Sequence, residues 1–245
     1  MSPMEEKKVA LVTGGSRGIG RAIVEALLGE GWRVHLCSRT PASTPGSVAE
    51  AVRELAGRFG DAVAGEAVDA RRQEEVDGFV ERVLAREGRI DGLVNNAGVG
   101  LFNPVDEITG EQWREVIETN LSGPFYFTRA VAPAMKRQGS GWIFNIASLA
   151  GRNAMAGGAA YNASKFGLVG MSEASMLDLR QHGIRVASIL PGSVDTGFGH
   201  PDRTGDRSWR LQPEDVAAMV LHLLTYPPHA LPSLVEMRPS RPPGK

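Results

Sequence analysis

KKVALVTGGSRGIGRAIVEALLGEG, Lys7 to Gly31, decides how the rest of the chain is read. Lys7 to Val12 is a short apolar run of the kind that forms a buried strand, and Arg21 to Leu28 has helical periodicity that stops near Gly31. Between them lies TGGSRGIG, Thr13 to Gly20. Glycines at 14, 18 and 20 permit positive φ angles, let a backbone approach a pyrophosphate, and allow helix to pack closely on strand. The following helix N-terminus offers unbonded N–H groups and positive dipole to phosphates. A glycine turn alone makes tight bends in many proteins. The strand-turn-helix context points instead to a nucleotide site formed by Gly14, Ser16, Arg17, Gly18, Ile19 and Gly20.

Working outward, the same unit repeats. Trp32 to Cys37 reads as a second strand, Val48 to Phe59 as a helix, Ala62 to Val68 as a third strand and Gln73 to Arg86 as an amphipathic helix. Leu93 and Val94 begin a fourth strand, Trp142 to Ala147 a fifth, Ile184 to Leu190 a sixth, and Leu234 to Met237 a last one. Thr109 is suited to cap a helix carrying Trp113, Val116 and Ile117, and Pro213 to open another. The second strand ends at Ser38 and Arg39, where a carboxylate would bind the ribose hydroxyls of NAD. A guanidinium suits a 2′-phosphate, and Arg17 offers a second one, so NADP(H) is favoured over NAD(H).

Ser148 to Lys165, SLAGRNAMAGGAAYNASK, supplies the chemistry. With residues from Gly158 onward helical, Tyr161 and Lys165 fall one turn apart on one face. A free phenol titrates near ~10, and a neighbouring ammonium is expected to draw that value toward neutrality, where acid-base catalysis works best. Ser148, at the end of the fifth strand, is placed to hydrogen-bond a carbonyl oxygen.

Taken together, TGxxxGxG at Thr13 to Gly20, NNAG at Asn95 to Gly98, Asn120, Ser148, Tyr161, Lys165 and PGSVDTGF at Pro191 to Phe198 resemble the short-chain dehydrogenase/reductase family in residue type and order. The resemblance spans about Lys7 to Leu224. It implies one Rossmann-type α/β domain over residues 1–245, a doubly wound, mostly parallel sheet of about seven strands in order 3-2-1-4-5-6-7 with helices on both faces. It also implies catalysis by Asn120, Ser148, Tyr161 and Lys165. Asn120 would hold a water that links Lys165 to solvent, and Lys165 would hold the nicotinamide ribose. Asp69 would meet the adenine, and Asn96, Ala97 and Gly98 would abut the ribose. Pro191, Gly192, Val194 and Thr196 would face the nicotinamide. The expected reaction is hydride transfer between NADP(H) and a ketone, aldehyde or secondary alcohol. The alternatives are reduction of 3-oxoacyl groups on an acyl-carrier protein, with Arg152, Arg203, Arg207 and Arg210 as a docking patch, or a non-catalytic NADP(H) sensor or scaffold.

Residues 198–212 are polar and without periodicity, which predicts a loop on the substrate side, with Met155, Phe198 and Trp209 as candidate substrate contacts and, for Phe198 and Trp209 equally, an apolar anchoring of the loop as the alternative. The end, SLVEMRPSRPPGK, departs from the family's usual glycine-rich closing segment, and residues 238–245 read as a flexible tail. The family forms homodimers and homotetramers, and the same is expected here. A net charge of -1 with 22% charged residues gives no reason to expect nucleic acid or an acidic membrane as partner. The single Cys37 precludes an intrachain disulfide, and the five histidines show no metal-ligand spacing. The start resembles no secretory signal, so a cytoplasmic location is expected.

Overall fold

A computed structural model describes residues 7–40, 44, 46–198 and 206–242. Seven strands form one sheet: β1 (Val9–Thr13), β2 (Arg33–Ser38), β3 (Val63–Ala67), β4 (Gly92–Asn95), β5 (Gly141–Ile146), β6 (Ile184–Pro191) and β7 (Leu234–Met237). Their order is β3-β2-β1-β4-β5-β6-β7 and every neighbouring pair is parallel. The helices are α1 (Gly18–Gly29), α2 (Val48–Phe59), α3 (Gln73–Glu87), α4 (Gly110–Ile117), α5 (Gly123–Gln138), α6 (Ala159–Leu179) and α7 (Pro213–Leu224). The spans of α2 and β7 coincide with the sequence reading.

Side chains alternate across each strand, and this divides the core in two. Ala10 and Val12 face one way with Val34, Leu36, Phe144 and Ile189, against Ile23, Val24 and Leu27 of α1, Leu55 of α2 and Val216 and Val220 of α7. Val9 and Leu11 face the other way with Leu93, Ile143 and Val186, against Phe79 and Val83 of α3 and Phe127, Val131 and Met135 of α5. Burial on both faces is why the strands read as continuous apolar runs. The reversal of strand order between β1 and β4 opens a crevice at the carboxyl ends of the strands, the usual ligand position in such sheets. The Thr13, Ser38, Asn95, Ile146 and Pro191 ends all lie on that side, because parallel strands end together.

The capping predicted at Thr109 is present as a reciprocal pair: Thr109 Oγ1 accepts from Gln112 N–H at 3.2 Å, and Gln112 Oε1 accepts from Thr109 N–H at 3.0 Å. Beyond Ile117 the helix widens into a π turn, Glu118–Ser122, before continuing as α5. The apolar stripe of Trp113, Val116 and Ile117 ends before that bulge and does not predict it.

Candidate active site

At the glycine turn, Gly14 and Gly18 have φ of 64° and 55°, which only glycine adopts without strain. A Cβ on Gly20 would lie 2.3 Å from the Gly14 carbonyl oxygen and 2.4 Å from Asn96 Nδ2. The turn is tied to the NNAG segment through Thr13: its Oγ1 accepts from the N–H of Asn96 at 3.0 Å and of Ala97 at 2.9 Å. Asn96 Nδ2 returns hydrogen bonds to the carbonyls of Thr13 and Gly14 at 3.0 and 3.2 Å. Asn96 therefore shapes the cradle with its side chain already spent on backbone. Thr196 reaches the same turn, its Cγ2 being 3.4 Å from where a Gly18 Cβ would sit.

These residues fit a dinucleotide on observations independent of any family. No side chain caps α1 at Arg17, so the first-turn N–H groups of Gly18 and Ile19 face the turn without a side-chain acceptor. Ser38 Oγ, at the end of β2, is buried without a hydrogen-bond partner. Arg17 and Arg39 are exposed, and Arg39 Nη1 lies 3.0 Å from Glu115 Oε1. Asp69 is held by Arg71, whose Nε and Nη2 and backbone N–H all donate to its carboxylate. Those bonds to Arg71 hold the Asp69 carboxyl below its usual range against the opposing effect of burial.

Ser148, Tyr161 and Lys165 converge at the end of β5. Lys165 is 4% exposed and its Nζ donates to the Ile146 carbonyl at 2.9 Å. Burial depresses its pKa to about 8. Tyr161, also buried, has its pKa raised by desolvation, with a hydrogen bond from Ser148 acting in the opposite direction. The drop toward neutrality expected from Lys165 is outweighed: the ammonium sits 5.8 Å from the Tyr161 ring centroid and donates to the Ile146 carbonyl, and desolvation of the phenol dominates.

Two asparagines hold this arrangement. Asn120, fully buried in the π turn, accepts from Val99 N–H at 2.8 Å and donates to the Val99 carbonyl at 2.9 Å and to Ser164 Oγ at 3.1 Å. Its side chain is committed to protein groups, as a local structural role requires. Asn162 was not singled out by the sequence reading, yet it donates to the carbonyls of Ala150 and Asn153 at 2.6 and 2.9 Å and accepts from Met155 N–H at 3.1 Å. It thereby fastens the Ser148 loop to α6, one residue from Tyr161.

On the substrate side, the ring centroids of Phe198 and Tyr161 lie 5.9 Å apart, and those of Phe102 and Tyr161 5.3 Å apart. Phe102 has no spacing signal and is missed by sequence reasoning. Met155 is exposed in the loop that precedes α6. Trp209 lies beneath the Arg210 guanidinium, in a depression shared with Leu211, Pro239 and Arg241. The cause is pairing of the chain on either side of the loop, where Val194 bridges Leu211 and Arg207 binds the Thr196 carbonyl at 2.8 Å and the Asp195 carboxylate. Residues 199–205 of the expected loop and 243–245 of the expected tail lie outside the described residues. The described part of that tail packs, Pro239 Cδ lying 3.2 Å from where a Gly192 Cβ would be. Pro191 ends β6, and Gly192 N–H donates to the Met237 carbonyl at 2.8 Å.

The family model described as short chain dehydrogenase matches residues 8–207. The chain belongs to the short-chain dehydrogenase family. As such it belongs to an NAD(P)-dependent oxidoreductase family. A Staphylococcus saprophyticus protein named an uncharacterized oxidoreductase is 35% identical to this dehydrogenase, over 96% of this chain and 98% of its own. A Streptomyces coelicolor protein named "Putative ketoacyl reductase" is 40% identical over 78% of this chain and 72% of its own. Among solved structures, a metagenomic short-chain oxidoreductase in complex with NADP superposes with a TM-score of 0.82 at 38% identity, covering 96% of this chain and 98% of that one. No described helix of this dehydrogenase is long and apolar enough to cross a membrane.

Proposed function

We propose that this dehydrogenase reduces a ketone or aldehyde, or oxidises the corresponding secondary alcohol, using NADP(H). The observation that carries the reading is the convergence of Ser148, Tyr161 and Lys165 at the carboxyl end of β5, the side of the sheet on which the glycine turn after β1 also lies. When bound, the nicotinamide supplies or accepts the hydride. In the reducing direction Tyr161 donates its proton to the carbonyl oxygen, and Ser148 donates a hydrogen bond to the same atom. A phenol whose pKa is raised holds its proton until the oxygen becomes basic. The Lys165 ammonium then stabilises the phenolate left behind, an effect strengthened by its dry setting. Asn120 keeps the π turn and the Val99 backbone in place, and proton exchange with solvent through a water there is part of the proposal.

Gly14, Ser16, Arg17, Gly18, Ile19 and Gly20 hold the phosphates in this reading, Asn96, Ala97 and Gly98 line the ribose, and Pro191, Gly192, Val194 and Thr196 line the nicotinamide. Ser38 and Arg39 take the 2′-phosphate, with Arg17. The NADP complex of the metagenomic relative supports that choice. Exposed Trp113, Phe125, Phe166 and Leu177 on α4, α5 and α6 favour a homodimer or homotetramer, which sedimentation at micromolar concentration reads directly as twice or four times the chain mass. We assign the protein to the cytoplasm.

The test follows NADPH and NADH oxidation across ketones, aldehydes, diketones and 3-oxoacyl thioesters, with Tyr161→Phe alongside. Turnover that falls by roughly 10²–10⁴ in the variant, with NADPH still bound, is the expected result. Equal turnover in the two proteins refutes the role of Tyr161. Reduction confined to 3-oxoacyl thioesters supports the second reading, which the Streptomyces relative's name favours. Against that reading, Arg152 pairs with Glu236, Arg207 with Asp195, and Arg210 stacks on Trp209, which leaves the described candidates for an acidic carrier already engaged.

A further inference from the structure

Phe102 and Phe198 meet over the bare backbone of Gly100, and both pack against the Tyr161 ring. Phe102 stands edge-on to Tyr161 at an interplanar angle of 61°, and Phe198 is tilted against it at 51°. A Cβ on Gly100 would come within 2.8 Å of Phe198 Cε1 and 2.9 Å of Phe102 Cε2, so both phenyl rings close on one glycine. The backbone beneath them is firm, since Asn120 bonds both the N–H and the carbonyl of Val99. Phe102 comes from the segment after β4 and Phe198 from the segment after β6, so the two rings reach Tyr161 from separate parts of the chain.

Tyr161 is only 8% exposed, whereas Phe198 and Met155 are 43% and 49% exposed. Access to the phenol is therefore bordered by apolar groups. A carbonyl that reaches the hydroxyl carries its substituents along the edges of Phe102 and Phe198. A flat aryl group meets those rings in the offset or edge-to-face geometries that aromatic quadrupoles favour. A saturated group of equal bulk gains contact area only, and a charged group has to shed its water there.

We infer that Phe102 and Phe198 form an aromatic clamp that selects carbonyl compounds bearing an aromatic ring on the carbonyl carbon, with Phe102 a specificity residue in addition to Phe198. The inference rests on the carbonyl reaction proposed for Tyr161, and deepens it by naming the substrate class.

The experiment measures binding separately from turnover. Phenyl methyl ketone, cyclohexyl methyl ketone and butan-2-one are titrated into the protein saturated with NADP⁺, by calorimetry or saturation-transfer NMR. The same three ketones are then assayed for reduction with NADPH. The expected order of affinity is phenyl, cyclohexyl, butanone. Phe102→Leu and Phe198→Leu, which keep apolar bulk, should each reduce the phenyl-to-cyclohexyl affinity ratio by about two- to tenfold. Because that ratio is taken within one protein, partial misfolding of a variant cancels. A ratio near one in the wild type, or one that neither variant alters, overturns the clamp. Binding in the expected order, lost in the variants but with no reduction of any ketone, upholds the clamp and counts against the carbonyl reaction instead.

Discussion

Asn120 grips Val99 at both polar atoms of its backbone, accepting from the N–H at 2.8 Å and donating to the carbonyl at 2.9 Å. This joins the π turn before α5 to the segment leaving β4, and it does so beneath Gly98, whose Cβ would lie 3.3 Å from Asn120 Oδ1. Asn120→Ala strips Val99 of both partners in a buried place. The expected cost is about 1–3 kcal/mol of stability, read from chemical denaturation, together with a fall in turnover. A variant as stable as the wild type would show that water replaces the amide at no cost.

Lys165 predicts a pH dependence whose sign is unusual for a lysine. Its pKa falls from 10.5 in the unfolded chain to about 8 in the fold, because burial penalises the ammonium. Below about 8 both states are protonated and the penalty is constant. Between about 8 and 10.5 the unfolded chain binds more protons than the native one, so unfolding free energy rises with pH. The phenol of Tyr161, with its folded pKa raised above 10.0, opposes this only above that value. The wild type should therefore gain stability relative to Lys165→Met as pH goes from 8 toward 10. A difference that is flat or shrinks over that interval contradicts the buried ammonium.

Two glycines of α1 should respond oppositely to alanine. A Cβ on Gly20 meets backbone at 2.3 Å, whereas one on Gly29 meets nothing within 4 Å. Gly20→Ala is expected to lower the melting temperature and to weaken NADPH binding by tenfold or more, since the turn has to open to admit the methyl group. Gly29→Ala should be neutral or stabilising by up to about 1 kcal/mol. Equal behaviour of the two variants would show that the glycine turn deforms freely.

Cofactor preference should turn on Arg39, at the end of β2 and beside Glu115. In the NADP(H) reading, replacing its guanidinium removes a charge-assisted hydrogen bond to the 2′-phosphate, so Arg39→Asp should lower the NADPH-to-NADH ratio of kcat/KM by about tenfold or more. Glu115→Gln releases Arg39 from its ion pair and should move the ratio the other way. An unchanged ratio in both removes Arg39 from the binding of the 2′-phosphate.

The strands, the helices and the glycine turn are written locally. Val48 to Phe59 carries its own apolar stripe and a Ser47 cap, and Gly14 and Gly18 sit where the backbone needs positive φ. Such signals depend on neighbours a few residues away, so a single sequence discloses them, whereas the order of the parallel strands was legible only through the family resemblance. Ser148, Tyr161 and Lys165 were readable for the same reason: a strand end and one helical turn bring them within reach of each other.

Tertiary structure decided what depends on distant segments. Phe102 meets Tyr161 only because the chain after β4 folds across α6, and Trp209 comes to lie against Pro239 and Arg241 where Val194 pairs with Leu211. The π turn that turns Asn120 toward Val99 is stabilised by contacts made from outside its own helix. The direction of the Tyr161 pKa belongs to the same class: sequence spacing places an ammonium nearby, but the dielectric around the phenol is set by every segment packed upon it. Desolvation is a property of the assembled neighbourhood, and only the fold assembles it.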